Sequence, residues 1–187
     1  LVRVGSGSQH DPRILNNIKG IDALLKVNLP QGPCWYRYNG DGYGEHEDGS
    51  PFDGTGIGRP WPLLAGERAH YELAAGRPQV AEDLLKVMEL STEGGRLIPE
   101  QVWDADAIPA RELFRGKPTG SACPLVWAHS EYIKLRRSLR DGKIFDQPPQ
   151  TVQRYQVEKQ KAAYFEWRFN NKCRTMPQGK KLRMQLP

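Results

Sequence analysis

"PLLAGERAHYELAAGRPQVAEDLLKVMEL" (62–90) reads as two helices folded back on one another. Each half opens on a proline, Pro62 and Pro78, at a first-turn position where the missing N–H has no intrahelical acceptor to lose. Gly76 supplies a stop for the first half, and only Arg77 separates it from the second proline. Leu63, Leu64, Tyr71 and Ala74 recur along the first half, and Val80, Leu84, Val87 and Met88 along the second. That is the spacing of a buried helical stripe. A connection this short makes its helices run antiparallel, so the stretch predicts an αα-hairpin.

Two further helices flank the hairpin. In "DPRILNNIKGIDALLKV" (11–27), Ile14, Leu15, Ile18, Ile21, Leu24 and Leu25 form a stripe, with Asp11 as N-cap and Pro12 in the first turn. "SACPLVWAHSEYIKLRRSLRDG" (121–142) carries Leu125, Val126, Ala128, Tyr132, Ile133 and Leu139, with Ser121 read as its cap and Gly142 as its stop. The class is therefore all-α. The remaining connections, 28–61 and 91–120, are too long for plain linkers inside a compact domain. If successive helices alternate in direction, both emerge at the end opposite the tight turn. They then share one rim, the usual place for a site supported by rigid helices.

That rim holds Trp35, Tyr36, Arg37, Tyr38, Asp41, Tyr43, Arg59 and Trp61 from the first connection. The second adds Glu100, Gln101, Trp103 and Asp104. Flat rings suit the apolar faces of pyranoses, and charged and amide groups suit their hydroxyls. Any one tryptophan is as well explained as a plug at a helix end; the whole set points to a sugar site. Glu100, in "RLIPEQVWDAD" (96–106), lies in a stretch with neither helical nor strand period, hence on a loop. A lone loop glutamate is ordinarily a solvated charge. Glycosidases, however, use two carboxyl groups flanking the scissile bond, and Glu100 is placed to be one of them. The glycines of "NGDGYGEHEDGSPFDGTGIG" (39–58) lack the Gly-Lys-Ser/Thr of a phosphate loop, and the acids among them miss the calcium-loop positions. They are read as letting the backbone turn tightly beside a ligand.

Composition narrows the classes further. The 187 residues are 38% hydrophobic, with five Trp, seven Tyr and five Phe, enough for a core. No apolar run approaches the ~20 residues of a membrane span, so no membrane partner is expected. Cys34, Cys123 and Cys173 are too widely spaced for a disulfide framework or a zinc site, and no metal or cofactor is expected. The net charge of +5 comes from the end of the chain, where eight Lys/Arg from Lys159 onward face only Glu166. Residues 1–158 are slightly acidic. The basic stretch is read as a solvated face, with no nucleic-acid partner.

Four blocks are specific enough to point to a family. "RYNGDGYGE" (37–45), "DGSPFDGTGIGRPWPLLAGERAHYELAAG" (48–76), "IPEQVWD" (98–104) and "TGSACPLVWAHSEYIKL" (119–135) resemble, in this order, the bacterial glucoamylase branch of glycoside hydrolase family 15. The family also includes glucodextranases and some trehalases. The resemblance implies an (α/α)6 barrel of twelve helices, of which residues 1–149 would be the last third. Residues 150–187 would form a linker and the start of a small β-rich segment, with "KKLRMQL" alternating as a strand does.

It also implies inverting hydrolysis of terminal α-1,4-linked glucose, and more slowly α-1,6-linked glucose, from α-glucans or malto-oligosaccharides. Glu100 takes the general-base position, and Arg37 contacts substrate hydroxyls. Asp41, Tyr43 and Trp61 match substrate-binding positions, joined by Arg59, Glu67 and Gln101. Two departures stand out. Cys123 replaces a frequent threonine, and the family's general acid lies upstream of any residue here. The chain is therefore expected to lack the N-terminal part of its own barrel, to show no glucosidase activity alone, and to expose apolar surface. The alternatives are a glucodextranase or trehalase of the same family, or a non-catalytic carbohydrate-binding helical protein.

Overall fold

In the computed structural model the hairpin forms as α2 (Pro62–Ala74) and α3 (Pro78–Leu90), with Gly76 at φ 75° closing α2. Its carbonyls are capped in turn, since Gly76 N–H donates to Leu73 O and Arg77 N–H to Glu72 O. The structure describes residues 1–92, 94, 96–160, 164–168, 175–176 and 178–185. Cys173, and Lys161, Lys172 and Arg174 of the basic stretch, lie outside the described residues.

α2 is the central element. Leu63, Ala65, Ala69 and Leu73 join Leu84, Val87 and Met88 of α3 in one core. Ala128 and Leu135 of α4 (Val126–Asp141) complete it. Burial almost all round α2 accounts for its small and apolar composition. Gly66 marks the tightest crossing: a Cβ there would lie 2.8 Å from both Glu131 Cγ and Met88 Sδ. The same interface buries charge. Arg3 pairs with Glu131 at 2.6 Å and with Glu67 and Asp146 at 2.9 Å, and His70 Nδ1 lies 2.7 Å from Glu131 Oε1. Ser138 Oγ is 3.4 Å from His70 Nε2. This serine–histidine–glutamate order is that of a nucleophilic relay, but His70 and Ser138 are fully buried and Glu131 nearly so. With no face open to substrate, the trio serves as a clamp between α2, α4 and the N-terminus.

α1 (Pro12–Leu25) starts as expected, with the Asp11 carboxylate accepting from Arg13 N–H. It ends sooner, because Lys26–Leu29 and Gly32–Trp35 form an antiparallel hairpin, β1 and β2. This hairpin falls where a helix end and a loop were expected. Pro30 and Gln31 make its tip, and Gln31 Nε2 ties it to Ser91 Oγ and Gly116 O. α4 also differs from expectation. It begins at Val126, after a cis Cys123–Pro124 bond, and Ser121 is not its cap. Proline disfavours a helical conformation in the residue before it, so the helix cannot run back to Ser121.

Beyond α4, a short turn of helix α5 (Pro149–Val152) continues into a π-turn at Gln153–Val157. Gln147 and Gln156 donate to the carbonyls of Val2 and Gly5, holding this stretch against the N-terminus. Strands β3 (Tyr164–Arg168) and β4 (Lys181–Gln185) then pair in parallel.

Candidate functional site

Glu100 sits on a segment whose backbone is bonded on both edges. Ile98 N–H donates to His129 Nε2, Glu100 N–H to Ala122 O and Gln101 N–H to Ser121 Oγ, while Pro99 has no N–H to place. Val102 N–H reaches Pro60 O and Trp103 N–H reaches Lys117 O. Every backbone donor from 98 to 103 is thus committed, to acceptors on both long connections, on the stretch leading into α4 and on α4 itself. The two connections do share one rim.

Gln101 is the cross-brace. Its side-chain oxygen accepts from Arg59 N–H at 2.7 Å, and its amide donates to Tyr43 O at 3.0 Å and to Glu100 Oε1 at 3.4 Å. Only 1% of the residue is exposed. Arg59 is buried too. Its guanidinium lies 4.0 Å from the Trp103 ring centroid and bonds Asp104 Oδ1 and His46 O. Asp104 also accepts from the Tyr36 hydroxyl. The structure therefore places Arg59 and Gln101, both predicted to bind substrate, beneath the rim, with their polar atoms spent mostly on protein groups. Trp35 and Trp103 are core residues as well; Trp35 Nε1 donates to Asp22 Oδ1.

Above this layer stand Arg37, Asp41, Tyr43 and Trp61. Arg37 makes a two-point bond to Asp41, at 2.7 and 2.8 Å. Asp41 also accepts from Tyr43 N–H at 3.0 Å. Burial pulls the Asp41 pKa upward, but these bonds outweigh it and hold the carboxyl below its ordinary value. Gly58 is required here, since a Cβ would fall 2.5 Å from Asp41 Cγ. The guanidinium of Arg37 is boxed by the rings of Trp61 at 4.8 Å, Tyr43 at 5.0 Å and Tyr38 at 5.3 Å. Trp61 is buried and meets the exposed Trp127 edge-on at 6.4 Å. Trp127 was not singled out in the sequence, where the helix was read as capped by Ser121 and Trp127 fell in its interior rather than at its start.

The nearby charge of Glu100 raises the Tyr43 pKa. Tyr43, with its ring against Arg37 and its carbonyl tied through Gln101 to the Glu100 carboxylate, thus links residues from opposite connections. Glu67 stands apart on α2. It pairs with Arg3 and lines a groove of about 270 Å3 shared with Arg37, Trp35 and Tyr71. The sequence reading also passed over Glu45 except as one of several loop acids. Its carboxylate is buried and accepts from Gly120 N–H at 2.6 Å.

No protein-family profile matches the chain. It is 46% identical over 155 residues to a glucoamylase from Clostridium sp. (strain G0005), an alignment spanning 83% of this chain and 20% of that protein. A bacterial glucoamylase whose crystal structure was solved in complex with acarbose superimposes with a TM-score of 0.74 at 47% identity. That match covers 83% of this chain and 21% of the other. The chain spans about a fifth of the length of the relatives it matches.

Proposed function

From a chain homologous over most of its length to part of bacterial glucoamylase, a glycoside hydrolase, we propose a general-base rim for an inverting α-glucosidase. The substrate is the non-reducing end of an α-1,4-linked glucan or malto-oligosaccharide. Glu100 accepts the proton of the water that attacks the anomeric carbon. Tyr43 donates toward the Glu100 carboxylate and fixes its direction. Arg37, oriented by Asp41, offers its remaining N–H groups to sugar hydroxyls and adds positive charge beside the base. Trp61 backs the guanidinium. Arg59 and Gln101 serve the sugar indirectly, by holding Tyr43 and Glu100.

Residues 1–149 belong, on this reading, to the last third of an (α/α)6 barrel, and residues 150–187 to a linker and the start of a β-rich domain. Apolar residues left exposed on α1 and α4, among them Leu24, Val126 and Ile133, support a larger surrounding structure. Inversion needs an acid about 6.5–9.5 Å from the base, with the water between them. We place that acid in a further part of the polypeptide.

The observation that carries this reading is the Gln101 amide bonding both the Tyr43 carbonyl and the Glu100 carboxylate while the Tyr43 ring lies against Arg37. Its test is Glu100→Gln in a polypeptide holding this segment together with the acid. Hydrolysis of maltose should lose about 10²–10⁴-fold in kcat with KM nearly constant. An unchanged kcat would remove Glu100 from the chemistry.

A further inference from the structure

The backbone donors from 98 to 103 do not all meet the same kind of acceptor. Glu100, Val102 and Trp103 donate to peptide carbonyls and Gln101 to the Ser121 hydroxyl, groups that keep their lone pairs across the ordinary pH range. Ile98 N–H instead meets His129 Nε2 at 2.9 Å. A ring nitrogen accepts only while it is unprotonated, so this bond fixes the tautomer, with the proton of the neutral ring on Nδ1. Imidazole is the side chain that changes charge between about pH 5 and pH 8. A proton on Nε2 would turn the acceptor into a donor that faces another donor.

Both ends of this bond are fixed by other contacts. Ile98 is 3% exposed, and its carbonyl accepts from Leu125 N–H at 2.9 Å. His129 lies in the first turn of α4, its own N–H bonded to Leu125 O and the neighbouring Ala128 sunk in the core. Events at Ile98 are passed on to Glu100 because the residue between them is Pro99, which is fully buried. Its ring fixes φ near about −65°, and it has no N–H with which to form a bond of its own. The residue before a proline is also confined to extended conformations. A displacement of Ile98 therefore carries the Glu100 backbone with it. The charged groups on the surrounding elements are engaged elsewhere: Glu89 of α3 with Tyr132 and Arg136, and Glu131 of α4 with Arg3 and His70. Arg96, two residues upstream of Ile98, is a cation on the same stretch.

We propose that His129 is a positioning residue for Glu100: through the Ile98 amide it seats the segment that carries the carboxylate, and it does so only while Nε2 is unprotonated. That the seated carboxylate acts as a general base rests on the glucosidase reading above; the anchor itself does not.

The experiment follows the chain by NMR between about pH 7.5 and pH 5.5. Hydrogen-exchange protection, corrected for the pH dependence of the intrinsic rate, is read at the amides of Ile98, Glu100 and Gln101, together with the carboxyl carbon signal of Glu100. As the His129 ring takes up its proton, protection at all three amides should fall about tenfold or more, and the Glu100 signal should move in step. His129→Gln puts an amide oxygen in the place of Nε2 and does not titrate, so it should keep the protection and flatten its pH dependence. His129→Leu should show the low protection at every pH. A fall confined to Ile98, with Glu100 and Gln101 unmoved, would make His129 a local tie and overturn the positioning role. Protection independent of pH in the parent, or equally pH-dependent in His129→Gln, would overturn it too. No sugar enters the measurement, so these failures leave the glucan reading standing, whereas an unchanged kcat in Glu100→Gln would remove the base and leave the anchor.

Discussion

Gln101 holds more of the rim together than Glu100 does. Replacing it with leucine leaves the Arg59 N–H and the Tyr43 carbonyl without partners in a place only 1% exposed. Each stranded group costs about 1–3 kcal/mol, so Gln101→Leu should lower the unfolding free energy by about 2–6 kcal/mol in urea titrations. A loss below about 1 kcal/mol would mean that water or relaxation replaces the bonds. Residue types at this scale were legible: Glu100, Arg37, Asp41 and Tyr43 stand out by motif and end up adjacent. Burial was not. Trp103 and Arg59 lie on loops that read as exposed and are covered because the two connections fold over one another, while Trp35 is covered by Asp22 of α1 and Arg68 of α2. Nothing within either loop encodes that cover.

Helix boundaries were readable wherever proline and glycine punctuate them. Pro62, Pro78 and Gly76 define α2 and α3 almost unaided. The start of α4 was misplaced because Ser121 has the look of a cap, whereas its hydroxyl serves Gln101 N–H instead. The β1–β2 hairpin was hidden because Leu25 and Val27 continue the apolar spacing of α1 and the tip lacks an Asn-Gly signal. The helices also invite a matched pair of substitutions. Gly20 lies inside α1 with no atom within 4 Å of an added Cβ, while Gly66 lies at the crossing of α2 with Met88 and Glu131. Gly20→Ala should stabilise by about 0.5–1 kcal/mol through helix propensity. Gly66→Ala gains the same propensity but has to displace a packed sulfur and a carboxylate stem held by Arg3 and His70. It should destabilise, by about 1–3 kcal/mol. Thermal unfolding of the two variants checks both signs, and a Gly66→Ala protein more stable than the parent would show that the crossing is looser than drawn.

Across the molecule, acid should be the effective denaturant. Burial pushes the pKa values of Glu131, Asp146 and Asp22 up, but bonds to His70, Arg3 and Arg68 pull all three below their ordinary values. The unfolded chain therefore takes up protons first as pH falls. The stabilisation is complete above about pH 5 and drains away as pH drops through the folded-state values, below the ~4.3 and ~3.9 of free Glu and Asp. Glu131→Gln breaks the buried pair and should cost about 3–5 kcal/mol at pH 7, a large share of a typical ~5–15 kcal/mol. Its loss between pH 5 and pH 3 should be shallower than the parent's, as urea unfolding at several pH values would reveal; a parallel acid limb would clear Glu131 of that role. The backbone from 98 to 103, bonded to neighbours on each side, has a different consequence. A carboxylate mounted on such a ledge has no hinge of its own. On the proposed reading, any movement around a sugar falls to the solvent-facing tips near Tyr38 and Phe52, while the Glu100 carboxylate keeps one position.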